Sequence, residues 1–240
     1  MAERFYVEQP ITGRTIVLVG GEAHHLAHVL RAKPGDHVVV FDGYGAEVAA
    51  QVAEIKRQTV ELTVVERRDA DRELPVRLTL GVALPKGERQ RWLTEKLVEL
   101  GAAELVPLVT QRSVAQPTPA VLERLRKCVV EASKQCGRNR LMTISPPRPW
   151  DEFLLRADTT ALRCLAHPGS PPLALLSSTT PVRPHAILAV GPEGGFTEFE
   201  IDLARSAGWQ CGSLGSRILR VETAAVALAS LIALPAAASQ

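Results

Sequence analysis

The chain has 240 residues and a formal net charge of +2, with 46% hydrophobic and 22% charged residues, values close to the globular averages that exclude disordered, collagen-like and coiled-coil chains. Its longest apolar run, residues 224–238, is broken by Ser230 and Pro235, so no membrane span is expected. The charged N-terminus lacks a secretory signal, and the four cysteines form no CxxC pair, so we expect a cytoplasmic protein with reduced thiols and no metal.

The first third of the chain is predicted to form short β-strands separated by turns. Runs rich in β-branched residues alternate with Gly-Asp and Asp-Gly dipeptides, a pattern typical of strands joined by tight connections. The predicted strands are residues 4–7, 15–19, 37–43, 45–55 and 60–67. One helix over 22–31 interrupts them. We therefore predict a small barrel-like domain over 1–72, followed by a charged linker within 66–75.

Beyond the linker, strands alternate with amphipathic helices, which predicts an α/β domain over residues 76–240. Strands are predicted at residues 77–84, 105–110, 160–167, 185–191 and 209–215, and helices at 87–101, 119–136, 197–207 and 222–234. Thr197 and Glu200 predict a capping box at the start of the third of these helices. The last helix is apolar almost all round, which is typical of a core helix or of a dimer contact.

Charge is distributed unevenly along the chain. Lys and Arg number 9 against 12 Asp and Glu in residues 1–75, 13 against 6 in residues 76–148, and 6 against 8 in residues 149–240. The basic excess of +7 in the middle segment favours a polyanion-binding surface, although a solvated helix face would give the same count. The chain has only 10 aromatic residues, too few for a row of bases to stack on aromatic side chains. Any RNA binding would therefore be mostly electrostatic.

Three predicted strands of the second domain end in loops of glycine, proline and small residues, at 165–170, 190–196 and 214–224. Because ligands of open α/β sheets bind outside the carboxyl ends of strands, these loops predict a pocket. Gly191, Gly194 and Gly195 would let the backbone turn sharply or approach a ligand closely. The alternative is a plain turn before a capped helix. The GxGxxG, GxxxxGK[ST] and GxSxG motifs are absent, which removes the usual support for dinucleotide, triphosphate and serine-hydrolase chemistry.

Arg220 and Glu222 flank the start of the last predicted helix. At the mouth of a glycine-lined pocket, a guanidinium and a carboxylate can handle a proton and the polar edge of a substrate, so this pair is the candidate catalytic pair. The alternative is structural: Glu222 is favoured at a helix N-terminus by the helix dipole, and Arg220 pairs with it.

The motifs GPEGGF and LGSRILRVETAA together resemble the signature of the SPOUT superfamily, and specifically that of the bacterial uridine-N3 methyltransferases of small-subunit ribosomal RNA. Further matching segments, which extend the resemblance over nearly the whole chain, are residues 24–36, 84–92, 96–113 and 131–138. The sequence departs from the family pattern at Ser216, where proline is expected, and at Cys136, where serine is commoner.

This resemblance implies an N-terminal PUA-like RNA-binding β-barrel and a C-terminal SPOUT α/β domain with a deep trefoil knot at about 160–225. It implies a homodimer in which the knot loops bind S-adenosylmethionine. The implied cofactor-binding residues are Leu165, Ala166, His167, Gly191, Pro192, Glu193, Gly194, Gly195, Leu214, Gly215, Ile218, Leu219 and Arg220. The implied RNA contacts are Arg4, Arg31, Lys86, Gln135 and Arg138.

The reaction that the resemblance implies is S-adenosylmethionine-dependent methylation of N3 of a specific uridine in 16S ribosomal RNA, either naked or in the assembled small subunit. Because N3 lies on the Watson–Crick edge, the target uridine must be unpaired or flipped out. Two other interpretations stay open. One is a SPOUT methyltransferase acting on a ribose 2′-hydroxyl or a tRNA base. The other is a non-catalytic RNA-binding ribosome-assembly factor, which would not bind S-adenosylmethionine.

Overall fold

The computed structural model describes residues 3–114, 117–155, 160–173 and 184–237. The chain divides into two compact units. Unit 1 comprises Met1–Glu73 and Ser133–Leu141, and unit 2 comprises Leu74–Ala132 and Met142–Gln240. The change from one unit to the other at Glu73 falls inside the predicted linker. The segment 133–141 differs from the sequence-based expectation, which placed it in the second domain.

Unit 1 is built on a single five-stranded sheet. Its elements are β1 (Arg4–Tyr6), β2 (Thr15–Val19), α1 (Gly20–His24) continuing as a π-helical turn (His25–Val29), β3 (His37–Phe41), β4 (Glu47–Ile55) and β5 (Thr59–Arg68). The strand order is β1-β3-β4-β5-β2, antiparallel except for the parallel pair β1 and β3. Alternating side chains such as Ile16 and Leu18 point into the core. Among the described strands, β1 and β2 are edges, so no hydrogen-bonded pairing closes the sheet into a barrel.

Polar contacts over long sequence distances hold residues 133–141 in unit 1. Arg138 donates two hydrogen bonds to the Glu73 carboxylate, at 3.0 and 2.5 Å. Asn139 donates to the Ala70 carbonyl at 2.8 Å and accepts from Arg4, also at 2.8 Å. Because these partners lie far apart in the chain, composition and periodicity could not assign the segment to unit 1.

The buried carboxylate of Glu47 binds two arginines of unit 1. Glu47 is 2% exposed, and it accepts hydrogen bonds from Arg4 and, at 3.1 Å, from Arg72. Burial alone would raise the pKa of Glu47, but the hydrogen bonds from Arg4 and Arg72 outweigh it and hold the pKa below its ordinary value of 4.5. The folded unit therefore favours the charged carboxylate.

Unit 2 is built on a parallel sheet covered by helices. Its elements are β6 (Arg77–Val82), α2 (Arg89–Glu99), β7 (Glu104–Val109), α3 (Pro119–Cys136, whose last turn belongs to unit 1), β8 (Thr143–Ile144), β9 (Arg148–Pro149), α4 (Trp150–Leu155), β10 (Leu162–Ala166), β11 (His185–Val190), α5 (Glu198–Ser206), β12 (Gln210–Gly212) and α6 (Val221–Ala237). The strand order is β12-β10-β11-β6-β7-β8, with β9 also beside β7. The sequence did not predict β8, β9 and α4, because each is too short to show a period.

The register of β10, β11 and β12 brings their carboxyl ends to one level. Ala166 pairs with Val190 on one side and with Gly212 on the other, and each of these residues ends its strand. The loops that follow the three strands therefore start side by side. Helix α6 packs against β6, β11 and α2, with Ala225 and Leu228 fully buried, which fits the predicted core helix.

The described residues do not include the whole segment of the predicted knot. The predicted knot over about 160–225 includes residues 174–183, which lie outside the described residues. In the part of the chain that is described, no helix combines the length and apolarity needed to cross a membrane.

The charge on Glu47 should stabilise unit 1 in a pH-dependent way. A carboxyl whose folded pKa is lowered contributes stability above its ordinary pKa, and that contribution is lost as pH falls through the lowered value. We expect Glu47→Gln to reduce the free energy of unfolding by about 1–3 kcal/mol at pH 7, because hydrogen bonds to a charged acceptor are lost. The difference should shrink as pH falls below 4.5 and through the lowered pKa of Glu47, as followed by calorimetric melts from pH 7 to acidic pH.

Glu54→Gln is the matched control, because exposed Glu54 pairs with exposed Lys56 at 2.9 Å and such pairs contribute little. Equal melting temperatures for Glu47→Gln and wild type at pH 7, or a difference that does not change with pH, would contradict the role given to Glu47.

Candidate functional site

A cavity of about 530 Å³ lies where the loops after β10, β11 and β12 meet. Pockets for cofactors and other small molecules fall in the range of roughly 300–1,000 Å³. All of the implied cofactor-binding residues except Leu165 line this cavity. Leu165 is fully buried in the core of unit 2, so its side chain packs within the protein. The structure thus brings together, from three separate loops, the pocket that the sequence predicted.

The glycine loop after β11 is shaped by tight packing and by a left-handed turn. A Cβ at Gly191 would lie 2.8 Å from the ring of Phe196, so the ring packs directly on bare backbone. Gly195 has φ of +69° and donates to the Pro192 carbonyl at 2.8 Å, which closes a turn that favours glycine. A Cβ at Gly195 would meet nothing within 4 Å, so open space borders the backbone there.

The predicted capping box at the start of α5 is confirmed. The Thr197 side chain accepts from the Glu200 N–H at 3.3 Å, and the Glu200 carboxylate accepts from the Thr197 N–H at 2.8 Å. The other Glu200 oxygen accepts from the N–H of Gln111 at 2.8 Å. The cap therefore also fixes the turn after β7 against the glycine loop.

Arg112, in that same turn, is a site residue that the sequence analysis missed. Its Nη1 donates to the Gly194 carbonyl at 2.8 Å, and its side chain lines the cavity. The available signal was its position directly after the predicted strand 105–110, at the same edge of the sheet as the three loops.

Arg89, at the start of α2, is a second residue that the sequence analysis missed. Its guanidinium lies 3.8 Å from a Glu193 oxygen in the glycine loop and 3.8 Å from a Glu222 oxygen in α6. Glu222 is 6% exposed, and its Oε2 has no hydrogen-bond partner among the described residues. One cation thus joins two carboxylates from different elements of the site, which would otherwise repel each other.

The structure separates the two predicted catalytic residues. Arg220 is exposed and lines the cavity, whereas Glu222 is not among the lining residues and pairs with Arg89. The local ion pair between Arg220 and Glu222, considered as an alternative, is absent from the ion pairs of the described residues. Of the two side chains, Arg220 is the one placed to touch a ligand.

One polar atom at the cavity lacks a protein partner. The Nδ1 atom of His167 is buried and forms no hydrogen bond within the described part of the chain. Because this atom has almost no accessible surface, a ligand in the cavity could bind it only after the side chain changes orientation.

The five implied RNA contacts fall into two groups. Arg31, Lys86 and Gln135 are exposed. Arg138 is 4% exposed and bound to Glu73, and Arg4 is bound to Glu47. A guanidinium already hydrogen-bonded to a carboxylate inside the fold is not free to bind a phosphate, so Arg4 and Arg138 are placed to stabilise unit 1.

Part of the basic charge of residues 76–148 is likewise held in ion pairs. The paired cations of this segment include Arg77 with Glu104, Arg91 with Glu95, Lys96 with Glu99, Arg126 with Glu123, and Lys134 with Glu22. The pairs within α2 and α3 are spaced three or four residues apart, as expected for a solvated helix face. Four of these five pairs use carboxylates that the excess of +7 already subtracts, so among them only the pair of Lys134 with Glu22 reduces the excess.

The chain is similar in sequence to known proteins over nearly its whole length. The family model of an RNA methyltransferase domain matches residues 72–233, and that of an RNA methyltransferase PUA domain matches residues 18–65. Ribosomal RNA small subunit methyltransferase E of Synechocystis is 37% identical over 239 residues, covering 98% of this chain and 78% of the relative. The Bacillus subtilis protein of the same name is 30% identical, covering 92% of each chain.

Solved structures with the same fold include two that hold a cofactor. Ribosomal RNA small subunit methyltransferase E from Neisseria gonorrhoeae, solved bound to S-adenosylmethionine, matches with a TM-score of 0.86 and 29% identity over 96% of both chains. A Legionella pneumophila protein, solved in complex with S-adenosylmethionine, matches with a TM-score of 0.87 and 28% identity over 98% of both chains.

Removing the bridge that Arg89 forms to Glu193 and Glu222 should lower the stability of the protein. We expect Arg89→Ala to lower the free energy of unfolding by about 1–3 kcal/mol, because buried Glu222 loses its cationic partner. The double variant Arg89→Ala with Glu222→Gln should recover part of that loss, since a neutral amide needs no cation. Urea denaturation of the wild type, both single variants and the double variant supplies the measurement.

Arg91→Ala is the control, because Arg91 is exposed and pairs with Glu95 on the surface of the same helix. Equal losses for Arg89→Ala and Arg91→Ala, or no recovery in the double variant, would show that the bridge does not stabilise the site.

Proposed function

The chain belongs to the RNA methyltransferase family that includes ribosomal RNA small subunit methyltransferase E, and from this membership we propose that it methylates N3 of a uridine in 16S ribosomal RNA. The relatives support the assignment of the chain as an S-adenosylmethionine-dependent RNA methyltransferase. The observation that supports methylation of the uracil edge is the cavity formed by the loops after β10, β11 and β12, with the exposed Arg220 guanidinium at the start of α6 among its lining residues.

The residues around the cavity fit S-adenosylmethionine. The volume of about 530 Å³ suits a ligand of this size. Open space at Gly195 lets a ligand approach the backbone. The loops after β10, β11 and β12 are thus the proposed binding residues for this cofactor.

The chemistry divides between cofactor and protein. S-adenosylmethionine, when bound, supplies a methyl group on a positively charged sulfur, so no covalent help from the protein is needed. The carbon–sulfur bond breaks as the carbon–nitrogen bond to N3 forms, and the N3 proton must be released. The tasks of the chain are to hold the uracil in line, to exclude its base pairing and to stabilise the charge that develops on the imide.

Arg220 is the proposed catalytic residue. Its guanidinium can donate to a uracil carbonyl oxygen as negative charge develops there during loss of the N3 proton. Glu222, which the sequence made a candidate base, is buried beside Arg89. We therefore assign it a positioning role at the start of α6, next to Arg220, and the proton passes to solvent.

The remaining features of the family resemblance form part of the same proposal. They are the trefoil knot over about 160–225, a homodimer and action in the cytoplasm. The apolar side of α6 supports the dimer, because Val226 and Leu231 are half-buried and Leu234 is exposed although all three are apolar. Unit 1, matched by the PUA family model, is the proposed RNA-binding domain.

Analysis of modified nucleosides tests the proposed reaction. In small-subunit ribosomal RNA from a strain that lacks this gene, mass spectrometry should find one 3-methyluridine missing, and restoring the gene should return it. Loss of a 2′-O-methylated nucleotide or of a tRNA modification instead would support the alternative methyltransferases. An unchanged set of modifications would support the non-catalytic assembly factor.

The role of Arg220 predicts a selective kinetic defect. Arg220→Ala should slow single-turnover methylation by about 100-fold, the usual effect of removing one donor that stabilises developing charge. Its affinity for S-adenosylmethionine, measured by calorimetry, should stay within a few-fold of wild type. Raising the pH should partly restore the rate, because more of the uracil is then already deprotonated.

Arg205→Ala is the control, since Arg205 pairs with Asp202 on the exposed side of α5, and it should react at the wild-type rate. Normal turnover of Arg220→Ala combined with a lower melting temperature would remove Arg220 from the mechanism and leave it a structural residue.

A further inference from the structure

Three arginines at the cavity have no carboxylate partner. Arg112 follows β7, and Arg217 and Arg220 lie in the loop after β12; all three line the cavity and are exposed. No ion pair within the described residues includes any of them. They differ in this respect from Arg4 and Arg138, which are neutralised inside unit 1.

Arg112 is also held in place before any ligand binds. One of its N–H groups donates to the Gly194 carbonyl at 2.8 Å. A guanidinium carries five N–H donors, so most of them remain available to an anion. Because the side chain is already oriented, an anion that binds Arg112 orders little further and loses little affinity to conformational entropy.

The residue that follows Arg217 is unusual for its surroundings. Ile218 is 88% exposed and lines the cavity between Arg217 and Arg220. An apolar side chain flanked by cations suits a nucleotide, whose base contacts apolar surface while its phosphates bind guanidinium groups. A free anion would make no use of Ile218.

The carboxylates at the cavity do not cancel this charge. Glu193 pairs with Arg89, which does not itself line the cavity. Glu198, the other lining carboxylate, lies in the first turn of α5, where the helix dipole favours it. The lining residues carry three arginines against two glutamates, a formal charge of +1, which attracts a polyanion.

We propose that Arg112 and Arg217 bind phosphodiester groups of the substrate RNA at the rim of the cavity, next to the target nucleotide. The inference rests on the proposed function, because it takes RNA as the substrate. It explains how a strand is held while one unpaired base enters the cavity and presents its Watson–Crick edge. It also assigns the main electrostatic contacts with RNA to arginines at the cavity instead of Arg4 and Arg138.

Binding of small ribosomal subunits, purified from a strain that lacks the gene, tests the proposal. Filter binding without S-adenosylmethionine, repeated over a range of potassium chloride concentrations, measures affinity when no methyl transfer occurs. Arg112→Ala and Arg217→Ala should each weaken binding by about tenfold, and should each make the slope of log affinity against log salt shallower by about 0.7–0.9. Arg112→Lys and Arg217→Lys should keep the wild-type slope, because the charge remains.

Arg91→Ala is the matched control, because it removes an exposed arginine of unit 2 that is already paired with Glu95. Its slope should equal that of the wild type. Calorimetry with S-adenosylmethionine is the second measurement: Arg217→Ala should bind it within twofold of wild type, whereas Arg112→Ala should bind it more weakly, because it also loses the hydrogen bond to the Gly194 carbonyl.

The outcomes separate this inference from the proposed function. Binding by the wild type with unchanged affinity and slope in both alanine variants would overturn the inference alone. Loss of S-adenosylmethionine affinity with unchanged subunit binding would also overturn it, since the arginines would then bind the cofactor carboxylate. If the wild type binds neither small subunits nor naked 16S ribosomal RNA, the proposed function fails and this inference fails with it.

Discussion

The parallel pairing of β10, β11 and β12 is the constraint on which the site depends. Ala166, Val190 and Gly212 end their strands in register, so three loops that are far apart in sequence begin at one edge of the sheet. Parallel strands require crossover connections, and their loops therefore collect at the same edge. The cavity is a consequence of this register, and glycine then gives its walls their shape at Gly191 and Gly195.

Arginine side chains fix the loops that the register brings together. Arg112 holds the glycine loop through the Gly194 carbonyl, and Arg89 joins that loop to α6 through Glu193 and Glu222. In unit 1 the same residue type has a different task, because buried Glu47 gathers arginines into the fold. The cavity arginines Arg112, Arg217 and Arg220 form no ion pair within the described residues, whereas Arg4 and Arg72 are paired with Glu47 inside unit 1.

The sequence predicted what depends on local pattern. Strand and helix periods placed most elements of both units, and Thr197 with Glu200 predicted the cap of α5. The glycine-rich loops predicted the cavity because the edge at which parallel strands end is fixed by topology. The short elements β8, β9 and α4 were missed, since two to six residues do not show a period.

What the sequence could not predict depends on contacts between distant residues. Arg89 reaches Glu222 across more than half of the chain, and Arg138 reaches Glu73 across 65 positions. Nothing in composition distinguishes such pairs from free charges, so the basic excess of residues 76–148 counts Arg138, which is paired with Glu73, as a free charge. The same limit explains why Arg220 and Glu222, close in sequence, were expected to act together.

The most direct test of this account is a calorimetric titration of S-adenosylmethionine onto the wild type, Gly194→Ala and Gly194→Val. Gly194 lines the cavity, and a Cβ there would meet only the Arg112 side chain, at 3.4 Å, so the variants should fold. The account predicts binding by the wild type, weaker binding by the alanine variant and none measurable by the valine variant, with unchanged melting temperatures. Wild-type affinity in a folded Gly194→Val variant would contradict the placement of the methyl donor in this cavity.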